Sequence, residues 1–229
     1  MAVHPTLANT AACVFDAYGT LFDISRMAEP CRDRLGDKTE LLAKLWREKQ
    51  LQYAWLRGLM GVHIDFWHVT GEALDHALAT LKFEDPRLRS MLMQLYLEPP
   101  MFDDVTATLA AIKKKGLRTA ILSNGSTTML SGAVNRHNLR GVLDLVLSVD
   151  EVQVFKPHPS VYKLATDRLG IPAEKILFVS SNGWDAHAAR HFGYRVAWAN
   201  RHGLTRETIP AQPDFEIKSL AEIPALLGL

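Results

Sequence analysis

Cysteine is scarce in this chain: among 229 residues only Cys13 and Cys31 carry a thiol. A disulfide framework is therefore excluded, the pair lacks zinc-ligand spacing, and a reducing compartment, the cytoplasm, is the expected location. Cys13 lies in an apolar run and reads as core. An excess of either charge is also missing, since 25 acidic residues face 26 basic ones. That balance leaves no cationic field for nucleic acid and no basic amphipathic face for a membrane surface. No apolar run approaches the roughly 20 residues that a membrane span requires, and residues 1–10 lack a basic segment followed by an apolar one. Internal repeats and low-complexity stretches are absent too. What remains is an ordinary globular composition, 48% hydrophobic, with small neutral or anionic ligands as the partners it allows.

The stretch from Ala12 to Asp23 stands out. An apolar run, Ala12-Cys13-Val14-Phe15, stops at Asp16, and Gly19 follows where the chain must turn. This pattern predicts a buried strand with a carboxylate at its carboxyl end, the edge of an open α/β sheet where ligands bind. Such an aspartate can act as nucleophile, metal ligand or general base, or it can simply cap a turn.

From Ser25 to about Leu97 the spacing is helical, with apolar residues three and four apart, and it predicts three to five helices. Gly58, Gly61 and Gly71 punctuate this block, Asp85-Pro86 opens its last helix and Glu98-Pro99-Pro100 closes it. Its aromatics Trp46, Tyr53, Trp55, Phe66 and Trp67 read mainly as its core, with one or two lining a pocket. After Pro100, helices alternate with apolar strands at 118–122, 143–148, 176–180 and 194–198, with a possible edge strand at 214–217 and a last helix over 220–227.

The polar residues that close these runs are Asp16 and Thr20, Ser123 and Asn124, Lys156, then Ser180, Asn182 and Asp185. A right-handed parallel sheet brings all of its strand ends to one edge, so these groups should share a cleft. Singly, Thr20 or Ser123 reads as a helix cap and Lys156 as a solvated charge. Together they read as a site, because so many polar groups at one edge need mutual pairing. His187 and His191 sit four apart, a spacing that metal ligands share, but no third ligand lies near and a packing or surface role is the simpler reading.

Four segments, Asp16-Ala17-Tyr18-Gly19-Thr20-Leu21-Phe22, Ser123-Asn124-Gly125, Phe155-Lys156-Pro157 and Ser181-Asn182-Gly183-Trp184-Asp185, resemble the motifs of the haloacid dehalogenase superfamily. More narrowly, the chain resembles its L-2-haloacid dehalogenases, to which residues 45–57 are also similar. The resemblance implies an α/β fold with a Rossmann-like parallel sheet flanked by helices, formed by residues 1–23 and 99–229. Residues 24–98 would be an inserted all-helical cap. The superfamily's phosphatases carry a second Asp where this chain has Tyr18, and paired magnesium-binding acids where it has Asn182 beside Asp185. Hard divalent cations want several charged oxygen ligands, so no metal and no cofactor are expected.

The resemblance also distributes roles. Asp16 would attack C2 of an L-2-haloacid, expelling halide and forming an ester that water hydrolyses to a D-2-hydroxy acid. Lys156 would support the Asp16 carboxylate, which gains reactivity when stripped of water. Arg47 and Asn124 would receive the halide, although by spacing alone Arg47 is an exposed helix residue. Ser123 would meet the substrate carboxylate. Tyr18, Leu51, Phe66 and Trp184 would surround the alkyl group. Thr20, Tyr162 and Ser180 would be donors orienting Asp16 and Lys156. Asn182 and Asp185 would position or activate water, unless Asp185 serves only to hold Lys156. The partners implied are a small halogenated carboxylic acid, water and a second copy in a homodimer. A magnesium-dependent phosphatase and a non-catalytic carboxylate binder are the competing readings.

Overall fold

The computed structural model describes residues 3–229. Strand β1 (Ala12–Phe15) is buried along its whole length, as a short, wholly apolar run must be when both faces of a sheet are covered. The chain then leaves the sheet for four helices: α1 (Arg32–Leu35), α2 (Thr39–Met60), α3 (Phe66–Thr80) and α4 (Pro86–Leu97). Asp65 caps α3 by accepting from the His68 N–H, and Asp85 caps α4 by accepting from Arg87 and Leu88, with Pro86 in the first turn.

The core resumes with α5 (Val105–Lys114), β2 (Arg118–Ser123), α6 (Thr127–Arg136), β3 (Leu145–Ser148), α7 (Pro159–Leu169), β4 (Ile176–Ser180), α8 (Gly183–Phe192), β5 (Arg195–Ala199), β6 (Phe215–Ile217) and α9 (Ile223–Leu226). The six strands are all parallel, in the order β3-β2-β1-β4-β5-β6. Strand order reverses at β1, between β2 and β4, and that switch point is where an open α/β sheet forms its ligand crevice. The expected parallel sheet with a helical cap is the fold observed.

The two segments that join the helical insertion to the sheet run side by side. Asp23 N–H donates to the Pro100 carbonyl at 2.7 Å, and Phe102 N–H donates to that of Leu21 at 3.1 Å. The helices are thus rooted just beyond Asp16. Their own core forms around a stripe on α2 in which Leu42, Trp46, Gln50 and Ala54, spaced by four, are buried, and the Trp46 indole donates to the Thr70 carbonyl of α3 at 2.8 Å.

Several details differ from the expectations. Gly58 and Gly71 do not break helices but lie inside α2 and α3, where tertiary packing overrides a weak local preference. Lys156 does not end a strand: a 3-10 turn at Val149–Glu151 follows β3, and Lys156 reaches the sheet edge from an irregular loop. The expected last helix is a 3-10 turn at Leu220–Glu222 followed by α9. Cys13 is buried, and burial pushes its thiol up to about 12, which leaves it inert.

One partly buried ion pair ties the end of the chain to the β1 turn. The Arg201 guanidinium donates to both Asp104 oxygens at 2.8 and 2.9 Å and to the Thr20 carbonyl at 2.9 Å. Asp104 also accepts from the Ser219 hydroxyl and the Leu220 N–H. Asp104→Ala would leave the partly buried Arg201 without its partner, at a cost of about 2 kcal/mol, so the melting temperature at neutral pH should fall by about 4–8 °C. Burial alone would raise the Asp104 carboxyl, but Arg201 and Ser219 outweigh it and hold it below the ordinary range. A carboxyl depressed on folding contributes stability above its unfolded value of about 3.9 and loses it as the pH falls through the folded one. Melting curves taken from pH 7 downward should therefore show the gap between wild type and variant closing below about pH 4.

Candidate active site

Asp16 follows β1 directly, and its N–H donates to the Val179 carbonyl of β4 at 2.9 Å, so the sheet itself fixes the start of the turn. Gly19 completes that turn at φ +91°, and a Cβ there would stand 2.9 Å from the Ser181 hydroxyl oxygen. A side chain at residue 19 would push apart the two loops that meet over Asp16.

Three donors converge on the Asp16 carboxylate. Lys156 Nζ donates to Oδ1 at 3.0 Å, while the Thr20 hydroxyl and the Asn182 amide each donate to Oδ2 at 3.0 Å. Thr20 in turn accepts from the Ser181 N–H at 2.8 Å, which orients its proton toward Asp16. Lys156 is 1% exposed and donates equally to Asp185 Oδ2, at 2.9 Å. Burial opposes its charge, but Asp16 and Asp185 outweigh that effect and its pKa is raised. Its nitrogen also stands 5.0 Å from the centre of the Phe178 ring, a further favourable contact for a cation.

Asp185 is wholly buried on the first turn of α8. The Tyr162 hydroxyl donates to its Oδ1 at 2.7 Å. Burial raises the Asp185 carboxyl above its usual value, aided by the Asp16 charge and opposed by Lys156 and Tyr162. Two expected contacts differ here. Tyr162 bonds Asp185, not Asp16 or Lys156. Ser180 is bonded to neither Asp16 nor Lys156 among the described residues: its oxygen takes the Asn182 N–H at 3.2 Å, because the chain turns back over the end of β4. Among the described residues no three His, Cys, Asp or Glu side chains converge as a metal site, and His187 instead places Nδ1 3.0 Å from the Pro210 carbonyl.

Above the carboxylate lies a small cell. Its floor is Asp16, Lys156 and Asn182; Ser123 and Asn124 form one wall, and Arg47, Leu51 and Phe66 descend from the cap. Tyr18 and Trp184 complete it. Asn124 accepts from the Lys156 backbone N–H at 2.9 Å, and Ser123 accepts from that of Gly125 at 3.1 Å. Gly125 has no room for a side chain, since a Cβ would meet the Tyr18 ring at 2.7 Å. The Tyr18 ring packs 5.5 Å from that of Tyr96, and its buried hydroxyl has no hydrogen-bond partner among the described residues. Burial drives the Tyr18 pKa upward, so it stays a neutral phenol.

The Arg47 guanidinium crosses from cap to core. One nitrogen donates to Asn182 Oδ1 at 3.1 Å and the other to Gln50 Oε1 at 2.7 Å. Asn182 therefore links Arg47 to Asp16 through its two ends. Gln50, absent from the residues that the sequence singles out, is wholly buried. It accepts from the Tyr96 hydroxyl at 3.0 Å and donates to the Thr70 hydroxyl at 2.7 Å. Its signal was available: a glutamine placed in the buried, four-spaced stripe of an amphipathic helix has to be paired.

Comparison with known proteins agrees with this geometry. A family model described as haloacid dehalogenase-like hydrolase matches residues 10–193. The (S)-2-haloacid dehalogenase 1 of Pseudomonas sp. (strain CBS-3) is 43% identical over 217 residues, 94% of this chain and 96% of that protein. A solved structure of a dehalogenase with an intermediate complex superimposes with a TM-score of 0.94 at 41% identity, covering 96% of this chain and 98% of the other. The L-2-haloacid dehalogenase of Xanthobacter autotrophicus, solved with chloropropionic acid covalently bound, gives 0.89 at 37% identity over 96% and 98%. With most of its length matched by the family and by relatives of this similarity, the chain belongs to the haloacid dehalogenase-like hydrolases.

Proposed function

We propose that this protein is a metal-independent dehalogenase that converts L-2-haloacids to D-2-hydroxy acids through an ester on Asp16. The observation that carries the proposal is the position of the Lys156 ammonium, 3.0 Å from Asp16 and 2.9 Å from Asp185. It occupies both of the carboxylates that a divalent cation would otherwise need. The named relatives, an (S)-2-haloacid dehalogenase and a structure carrying chloropropionic acid covalently, support the same reading.

In the first step an Asp16 oxygen bonds to C2 of the substrate from the side opposite the halogen, and the carbon–halogen bond breaks with its electron pair leaving as halide. Configuration at C2 inverts. Arg47 and Asn124 receive the halide; one donor aimed at charge that develops only in the transition state is worth about 3–4 kcal/mol. Ser123 meets the substrate carboxylate, and Tyr18, Leu51, Phe66 and Trp184 enclose the alkyl group under the cap of residues 24–98. In the second step water attacks the Asp16 carbonyl carbon, with the oxyanion, on the oxygen that did not form the ester, held by Lys156. The bond from that carbon to the ester oxygen breaks, so the product hydroxyl carries an oxygen that came from Asp16. One water proton ends on the product and the other is released to solvent, while Asp185, bonded to Lys156 and Tyr162, holds the ammonium in place. Asp185 is the only other buried carboxylate among the described residues, which makes it the counter-charge that stays with Lys156 once Asp16 is esterified.

Halide release from L-2-chloropropionate, with the D isomer and a generic phosphate ester in parallel, tests the assignment. Only the L isomer should react, a chelator should change nothing, and Asp16→Asn should lower the rate by at least about 10³-fold. One turnover in heavy-oxygen water should label Asp16 and leave the product unlabelled. Phosphate release that depends on magnesium, or label appearing first in the product, would overturn the reading.

Gln50 gives a second test. Gln50→Leu removes the acceptor that holds the cap-side Arg47 nitrogen and puts an apolar side chain of similar size in its place. We expect kcat to fall by about 10- to 100-fold, with KM within about threefold and inhibition by bromide weakened in step with kcat. A loss of folded protein with unchanged kcat in the remainder would instead make Gln50 purely structural.

A further inference from the structure

The catalytic cell encloses only about 20 Å³, little more than the roughly 10–15 Å³ that one water needs. Beside it lies a much larger cavity of about 550 Å³. Its walls are Trp55, Gly58, Val154, Trp184, Ala188 and Ile209, so it runs between the second half of α2 and the edge of α8. Lys156 and Trp184 line both spaces. Lys156 is pinned between two carboxylates, which leaves Trp184 as the partition that no ion pair holds. Its ring meets Trp55 edge-on, 5.4 Å between centres with the planes at 82°. The aromatic pair therefore closes the cell on the side where the proposed reaction puts the substrate's alkyl group.

We infer that the cavity beyond Trp184 is a subsite for the carbon chain of the substrate, so that the enzyme takes 2-haloacids with medium-length alkyl or aryl tails as well as the shortest ones. The inference rests on the dehalogenase reading above and specifies its substrate class. A cavity of about 300–1,000 Å³ with apolar walls suits a ligand larger than a three-carbon acid. The polar ends of such a substrate stay at Ser123 and Arg47, and its tail passes the Trp184 indole into apolar surroundings. Each methylene moved from water into the cavity should raise kcat/KM by up to about fourfold.

Gly58 allows a clean block. It lies inside α2, a Cβ there would reach Val154 at an ordinary contact distance of 3.7 Å, and replacing a helical glycine favours the helix. Gly58→Leu fills the cavity without touching the cell, and Ala188→Phe fills it from the opposite wall. Halide release should be measured for wild type and both variants on L-2-bromo acids from propionate to octanoate. Wild type should hold or gain kcat/KM as the chain lengthens; the variants should match it within about twofold on 2-bromopropionate and fall at least about tenfold below it on 2-bromooctanoate. A steep wild-type loss beyond 2-bromobutyrate, or variants that treat short and long acids alike, would overturn the subsite. A wild-type dimer that Gly58→Leu dissociates would assign the cavity to a subunit contact and overturn it equally. If wild type releases halide from no acid, the dehalogenase reading is what fails. The subsite is then read from Trp55 and Trp184 fluorescence during titration with 2-hydroxyoctanoate, where saturable quenching lost in Gly58→Leu supports it and absence of quenching overturns it.

Discussion

Everything at the sheet edge depends on one buried ammonium. Lys156 Nζ stands between two carboxylates that are themselves almost without solvent, Asp16 and Asp185. None of the three charges is tolerable alone in that environment, because removing an ion from water costs several kcal/mol even after the protein relaxes. They are tolerable together only if the remaining lone pairs are also satisfied, and the neighbouring residues do this: Thr20 and Asn182 on Asp16, Tyr162 on Asp185. Each of those groups comes from a different part of the chain. The sheet's parallel order is what lets them meet, since it puts the ends of β1 and β4 side by side at the point where strand order reverses.

The cap adds what the core cannot supply. A pocket holding two carboxylates and one ammonium repels an anionic acid, and Arg47 brings the second positive charge. It is delivered by a long helix, α2, but precision comes from its partners at both ends. Gln50 holds the guanidinium from the cap side, and Asn182 receives it on the core side. Gln50 itself is immobilised by Tyr96 and Thr70 on the other two long cap helices. Cap geometry is thereby transmitted to one side chain through hydrogen bonds, where apolar packing alone would leave a long arginine several rotamers to sample.

The fold was readable because its strands are short, fully apolar and bounded by turn residues. Ile176 to Ser180 is the clearest case: five buried residues with the polar group expected at its end. The motif residues were readable for the same reason, since a polar residue that stops such a run has few other places to go. Lys156 was found but misplaced, because an apolar run before a proline looks the same whether it is paired or looped. What escaped was pairing at long range. Gln50 and Tyr96 are 46 residues apart, and Asp104 and Arg201 are 97 apart, so neither partner carries a local pattern that names the other. Ser180 ends its strand as the pattern implies, but the partner of its hydroxyl is not local information: a hydroxyl can donate or accept, and the turn of the following backbone is what brings the Asn182 N–H to it.

Charge movement links the two halves of the site. In the proposed first step the negative charge on Asp16 is consumed by ester formation and reappears on the halide. Lys156 faces the end that loses charge and Arg47 the end that gains it. Asn182 touches both, donating to Asp16 and accepting from Arg47. When Asp16 becomes an ester, Lys156 keeps Asp185 as a partner and so remains charged, one of its donors now free to meet the oxyanion of the second step. A metal ion in its place would have to shed a ligand to do the same. A lysine held by two carboxylates, one of which the chemistry neutralises in turn, is stabilised throughout the cycle while the charge it serves moves away and returns.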